Sequence, residues 1–275
     1  LRQRAQSLIS NRTQAEDAIA DAMVRAGVNE AACGVVAKHM MLGRDPNRAL
    51  PFAIRAAVHS TLQGRFNESR SWLMAIDPMR RDRSDPTYKA LRFQLAWARA
   101  RTSLNTDLSR NRTDLVRQAE ERMVTQEDRL LVAVLKSDVG MREGRVQKEI
   151  DALLHQAAAM DETAVGWLHL KAARMHLDQG DPKGARSVLA ETAVLGAHPN
   201  RAVVGIDLAR LEGRTDTVIE GCRQAIARAK TLDGDPFYGI LQCRLGWGLL
   251  ARGDRVGATQ AAHSAIDLLT EHGNR

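Results

Sequence analysis

The feature that most constrains the fold is a glycine turn that recurs along the chain between two segments with helical apolar spacing. A polar or basic residue follows the glycine, as in "EGRV", "QGDP" and "RGDR". On both sides, apolar residues recur at steps of three and four, which is the spacing of one helix face. The pattern predicts a series of antiparallel helical hairpins. The predicted turn glycines are Gly64, Gly144, Gly180, Gly213 and Gly253.

The spacing of these glycines predicts the number of hairpins. Three intervals fall between 33 and 40 residues, whereas the 80 residues from Gly64 to Gly144 leave room for one more unit, with its turn at Asn105 or Asp107. Five to six repeats are therefore expected. A glycine at this position suits a helix C-cap with a positive φ, and Asp181 and Asp254 suit the N-cap of the helix that follows.

Composition favours an all-α chain without membrane spans. Aromatic residues make up only 4% of the 275 residues, and strand-like alternation is scarce beside many Ala, Leu, Arg, Glu and Gln residues. No apolar run approaches the length of a membrane span. The three cysteines contain no CxxC pair, which is typical of a protein in the reducing cytoplasm.

The hairpins resemble the tetratricopeptide repeat, a helix pair of about 34 residues. In the last unit, Leu245-Gly246, Gly253 and the small residues Ala258, Ala262 and Ala265 fall where that family has its Leu-Gly pair, its turn and its closely packed second helix. The unit around Gly180 matches at Ala172-Ala173 and Ala185. The resemblance implies a right-handed α-solenoid, a superhelix with a concave inner face.

The resemblance also implies which side chains line the concave face, because the first helix of each pair is on the inside in that family. Such a groove suits a peptide or a partner helix, and a small effector is an alternative occupant. The family's inward positions fall on Leu131, Val134 and Asp138, on Trp167, Leu170 and Arg174, on Val203, Asp207 and Arg210, and on Ile240, Cys243 and Trp247. We expect the contacts to a partner to come from Asp138, Trp167, Leu170, Arg174, Asp207, Arg210, Cys243 and Trp247.

Positive charge is concentrated in the first half of the chain, which raises a second hypothesis. Residues 1–140 hold 23 Lys and Arg against 16 Asp and Glu, whereas residues 141–275 hold 17 of each. The most basic stretch predicts an anion or nucleic-acid patch, although Asp82 and Asp85 interleave with it. The residues of this predicted patch are Arg80, Arg81, Arg83, Lys89 and Arg92.

Catalysis and metal binding have little support in the sequence. The chain contains no HExxH, GxxxxGK[ST], GxSxG or GxGxxG motif. His169 and His176 stand seven residues apart rather than the four that lets two imidazoles on one helix reach the same ion. We therefore expect no enzyme activity, no cofactor and no metal.

The first 49 residues lack the repeat pattern and are expected to form a helical cap or a small separate subdomain, followed by repeats over residues 50–275. Within this segment, Thr13-Gln-Ala-Glu16 predicts a capping box, and the turn at Gly27 leaves open a helix-turn-helix that binds nucleic acid. Because the chain begins with Leu1, we expect a fragment or processed product. The favoured hypothesis is the sensing or partner-binding region of a larger bacterial regulator.

Overall fold

The computed structural model describes residues 2–79, 86–106, 112–196, 198–229 and 237–271. These residues form fourteen α-helices and two short 3-10 helices, and they contain no β-strand. The all-α prediction is confirmed. The chain divides into two compact units, Leu1–Met123 and Val124–Arg275. Among the described residues, no helix combines the length and the apolar character that crossing a membrane requires.

The first unit contains three pairs of helices. The helices are α1 (Arg2–Ala26), α2 (Cys33–Leu42), α3 (Leu50–Leu62), α4 (Phe66–Ile76), α5 (Pro86–Thr106) and α6 (Arg112–Glu120). A 3-10 helix, Pro46–Ala49, ends where α3 begins. The boundary expected between residues 49 and 50 falls at this junction, and whether it separates a cap from the repeats stays a prediction.

The second unit contains four hairpins in sequence. The helices are α7 (Gln126–Arg142), α8 (Val146–Ala157), α9 (Glu162–Asp178), α10 (Pro182–Ala190), α11 (Pro199–Leu211), α12 (Thr215–Ala229), α13 (Phe237–Ala251) and α14 (Arg255–Glu271). A second 3-10 helix, Ala193–Leu195, precedes α11.

All five predicted turn glycines end a helix with the same hydrogen-bonded motif. Each has a φ between 70° and 89°, a region that glycine reaches without a steric cost. In each, the next residue donates its N–H to a carbonyl five residues back, as Arg214 does to Ala209 at 2.9 Å. This bond, together with one from the glycine N–H, defines a Schellman C-cap. The hairpin prediction is confirmed at these positions.

The helix starts are partly as expected. Asp181 and Asp254 accept hydrogen bonds from the backbone of Gly184 and Gly257 at 3.0 and 2.9 Å, so both are N-caps. The capping box predicted at Thr13 is wrong, because α1 is already helical from Arg2 onward. Glu16, the glutamate of the predicted box, instead joins α1 to α2, since its carboxylate lies 2.6 Å from the His39 imidazole.

The expected sixth turn is also different from the prediction. Asn105 belongs to the last turn of α5 and has no positive φ. Asp107 lies outside the described residues. Helix α6 nevertheless packs against α5, so a helix pair occupies the place predicted for the additional unit.

The core of the second unit consists of apolar clusters that each join a hairpin to the first helix of the next. One cluster joins α7, α8 and α9 through Ala133, Ile150 and Leu168. The next joins α9, α10 and α11, and the third joins α11, α12 and α13. Helices α9 and α11 each contribute different residues to two clusters, so each of the first three hairpins of this unit shares its core with the next hairpin.

Candidate functional site

The candidate site is a stripe of charged and aromatic side chains on the first helices of the second unit. It occupies fixed positions before each turn glycine, at three, six and nine residues, a spacing that keeps side chains on one face of a helix. Six residues before the glycine stand Asp138, Arg174, Asp207 and Trp247. Lys171 and Arg244 stand nine residues before it, and Arg210 stands three before it. We call this set the first-helix stripe.

Asp207 is the centre of the first-helix stripe. Its side chain is only 4% exposed, and it accepts hydrogen bonds from guanidinium groups on both neighbouring first helices. Arg174 of α9 donates to Oδ2 at 2.6 Å, while Arg244 of α13 donates to Oδ1 at 2.8 Å and to Oδ2 at 3.1 Å. A buried carboxylate needs such partners, because an unpaired charge there is costly. Asp207 therefore links three consecutive hairpins.

A similar pair lies one hairpin earlier. The Lys171 ammonium of α9 donates to Asp138 of α7 at 2.5 Å, and both side chains are mostly buried. Arg174 also bonds to Asp178, one helical turn further along α9, at 3.1 Å. Opposite charges thus alternate between the first helices. The stripe has four basic and two acidic groups, and Asp178 beside it adds a third carboxylate, which leaves one excess positive charge.

Arg210 and Trp247 are the part of the stripe most available to a partner. Trp247 is 54% exposed, and the guanidinium carbons of Arg210 and Arg244 lie 4.8 and 5.9 Å from its ring centroid. Both distances are within the range of cation–π attraction. The Arg210 Nε lies 3.8 Å from Asp207 Oδ1, and its guanidinium makes no hydrogen bond within the described part of the chain. Its donors therefore remain available.

The other predicted contact residues are placed differently. Trp167 packs beside the cluster of α9 to α11, with its ring edge-on to His198 at a centroid distance of 4.6 Å. Cys243 is a partly exposed free thiol that precedes Arg244. The prediction that Leu170 contacts a partner is corrected, because Leu170 is only 5% exposed and packs in one core cluster with Val204 and Leu208.

A second thiol lies behind the stripe. Cys222 of α12 is fully buried, and burial raises its pKa to about 12. The positive charge of Arg244 lowers this pKa, and the negative charge of Asp207 raises it, but both effects are smaller than that of burial. Cys222 is consequently a neutral core thiol rather than a nucleophile at neutral pH.

The predicted basic patch stays a prediction, because the structure describes only two of its five residues. Arg80, Arg81 and Arg83 lie outside the described residues. Lys89 and Arg92 are exposed on α5. Among all described residues, no group of three or more His, Cys, Asp or Glu side chains is arranged to hold a metal ion. The His176 imidazole lies 2.9 Å from the carboxylate of the N-cap residue Asp181.

Sequence reasoning missed two of the residues that define the stripe. Lys171 and Arg244 both stand nine residues before their turn glycine, and each pairs with an aspartate on the preceding first helix. The signal was present as opposite charges about one repeat apart. Asp138 and Lys171 are 33 residues apart, and so are Arg174 and Asp207.

The geometry defines an all-α protein of helical repeats. No family model matches the chain, and no curated protein matches it either. The fold is similar to that in the crystal structure of a Rap protein complexed with competence and sporulation factor, with a TM-score of 0.53 and 10% sequence identity. The similarity covers 83% of this chain and 67% of that one. At this identity the likeness shows the helical-repeat fold, while the tetratricopeptide assignment itself stays a prediction.

Proposed function

We propose that this chain is a non-catalytic recognition scaffold whose first-helix stripe binds a protein or peptide partner. The observation that carries the proposal is the pairing of Arg210 and Trp247, an unbonded guanidinium beside a half-exposed indole ring. Arginine and tryptophan are the residue types that contribute most to binding at protein interfaces. Support also comes from the Rap protein of similar fold, whose crystal structure contains competence and sporulation factor.

The charges of the stripe indicate the chemistry of the partner segment. Asp207 is already bonded to Arg174 and Arg244, so it holds their guanidinium groups in place rather than binding a partner itself. Arg210 retains its donors for an incoming carboxylate, and Trp247 provides an apolar face next to it. A segment with an acidic group beside an apolar or aromatic side chain fits both features.

The rigidity of the stripe contributes to this role. Lys171, Arg174 and Arg244 are held by ion pairs to a neighbouring first helix, so they lose less conformational entropy on binding than free basic side chains would. Asp138, bonded to Lys171, belongs to this framework. We therefore expect Asp138 and Asp207 to position the site, and Arg210 and Trp247 to contact the partner.

The test begins with peptides selected from a random display library on the whole chain. Arg210→Ala and Trp247→Ala together should weaken binding of a selected peptide at least roughly 30-fold, as expected when two central anchors are lost. The matched control is Arg223→Ala with Ile266→Ala, which removes an exposed arginine and an exposed apolar residue from the second helices α12 and α14. Equal affinity of the two double variants would contradict the proposed site.

Nucleic-acid binding stays an alternative prediction. Gly27 has a φ of 91° at the end of α1, so a turn does separate α1 from α2 as the helix-turn-helix hypothesis requires. Fluorescence anisotropy with a random DNA duplex over a salt series tests it. Binding through phosphates should weaken steeply with salt, whereas absence of binding at low salt would exclude this function.

A further inference from the structure

The first unit contains a cleft that the recognition role of the second unit does not use. It lies between α5 and the segment from α6 to the turn that follows, and its volume is about 250 Å³. Its polar lining comes from Tyr88, Arg92, Arg99, Gln118 and Arg122. Three aliphatic side chains complete the lining. The cleft lies just below the size range of sites for drug-sized ligands, which suits a smaller molecule.

Three guanidinium groups converge on this cleft. Arg92 and Arg99 stand seven residues apart on α5, which places them on the same face of the helix. Arg99 forms an ion pair with Asp77, and Arg122 donates a hydrogen bond to the carbonyl oxygen of Gln118. These bonds fix the orientation of the Arg99 and Arg122 guanidinium groups. Within the described residues, neither Arg92 nor Arg122 pairs with a carboxylate.

The charges of the cleft favour an anion. Arg92 and Arg122 have no carboxylate partner among the described residues, whereas Arg99 is paired with Asp77. The planar guanidinium group matches the oxygen geometry of a phosphate and can bond to it in a bidentate manner. The aliphatic side chains and the Tyr88 ring provide an apolar wall beside the basic groups.

We propose that this cleft binds a small molecule that carries a phosphate group. The phosphate oxygens accept hydrogen bonds from Arg92, Arg99 and Arg122, and the carbon skeleton of the ligand packs against the apolar wall. The dimensions of the cleft favour a small phosphate ester over a nucleic-acid duplex, which would need a longer row of basic side chains. This proposal is independent of the role assigned to the first-helix stripe.

Isothermal titration calorimetry of the whole chain tests the proposal with inorganic phosphate and with phenyl phosphate. Phenyl phosphate should bind more tightly, because its ring covers the apolar wall. Arg92→Ala with Arg122→Ala should weaken phenyl phosphate binding by roughly 10-fold or more, as the loss of two charge-assisted donors requires. Arg117→Ala is the matched control, since Arg117 lies exposed on α6 and pairs with Asp114 and Glu121 outside the cleft.

Circular dichroism and thermal unfolding establish that each variant is folded. Arg92→Lys with Arg122→Lys keeps the charge but loses the bidentate geometry, so its affinity should lie between those of the wild type and the alanine variant. Absence of heat with both phosphates at millimolar concentrations would overturn the proposal, and so would equal affinity of the wild type and the double alanine variant. Binding of a DNA duplex that the double alanine variant loses, without binding of phenyl phosphate, would assign the surface to nucleic acid instead.

Discussion

Polar side chains join consecutive helices in both units, but the groups are neutral in the first unit and charged in the second. In the first unit, Thr61 of α3, Ser69 of α4 and Thr102 of α5 form a buried network of hydroxyl groups, with Thr61–Ser69 and Ser69–Thr102 distances of 2.7 and 2.8 Å. In the second unit, the buried carboxylate of Asp207 joins three first helices through Arg174 and Arg244.

The difference shows how polar contacts divide between structure and recognition. The hydroxyl network is sealed, because all three of its residues are buried and their hydrogen bonds are internal. The Asp207 cluster is sealed only on the side of the carboxylate, and its arginines reach the surface beside Trp247. Neutral groups that bond to each other stabilise packing, whereas an excess of charge at the surface leaves donors for a partner.

The largest effect should come from removing the central carboxylate of the second unit. Asp207→Ala leaves Arg244 without its carboxylate partner and leaves Arg174 paired with Asp178 only. We expect a loss of about 2 to 3 kcal/mol in the free energy of unfolding, below the usual cost of a broken buried pair because both arginines can turn toward water. Urea unfolding monitored by circular dichroism measures this.

Two further variants identify the cause of that loss. Asp207→Asn keeps the shape but removes the charge, so it should remain destabilising. Adding Arg244→Ala to Asp207→Ala should recover part of the stability, since the arginine that lost its carboxylate partner is then gone. A double variant as unstable as the sum of its single variants would show that Asp207 and Arg244 do not interact energetically.

A smaller effect is expected in the hydroxyl network of the first unit. Thr102→Val keeps the volume and removes one hydroxyl group, which leaves Thr61 and Ser69 bonded to each other. We expect a loss of about 1 kcal/mol in the free energy of unfolding, independent of salt because no charge changes. A pronounced dependence of this loss on salt would contradict the neutral character of the network.

Next in size is the cost of the turn that the hairpins share. Gly213→Ala places a Cβ at a φ of 71°, and no described residue apart from its neighbours in the chain comes within 4 Å of that Cβ. The cost is therefore that of the backbone conformation alone, about 1 kcal/mol in the free energy of unfolding. Gly213→Asn should cost less, because asparagine tolerates the left-handed region better. Equal stability of the alanine variant and the wild type would refute this account.

The fold was predictable where local chemistry decides the structure, as at the turn glycines, where glycine allows the positive φ that a helix C-cap between two helical patterns requires. The site was less predictable because it depends on helix rotation. Leu170 and Lys171 are neighbours, but one residue rotates the side-chain direction by about 100°. The assumed register selected Leu170, which faces the core, and passed over Lys171, which faces Asp138.

Contacts between segments distant in the sequence could not be predicted either. The hydroxyl network joins Thr61 to Thr102 across 41 positions of sequence, and Ser and Thr carry no signal that distinguishes a buried partner from a surface hydroxyl. Thr13 and Glu16 match a capping box, yet helix α1 continues through them and Glu16 contacts His39 instead. Packing of α2 against α1 decided that outcome, and the local pattern did not.

Thiol modification is the smallest perturbation, and it distinguishes the partly exposed Cys243 beside the stripe from the buried thiols Cys222 and Cys33. At pH 8, a thiol with the pKa of about 12 assigned to Cys222 is ionised to roughly 1 part in 10,000. Burial also raises the pKa of Cys33. Cys243 is the thiol that solvent reaches, so a disulfide reagent should modify it first, with one equivalent consumed before unfolding. Since Cys243 adjoins Arg244, a bound peptide that covers the stripe should slow this reaction. Rapid modification of Cys222 in the folded protein would show that the core of the second unit is more open than the structure indicates.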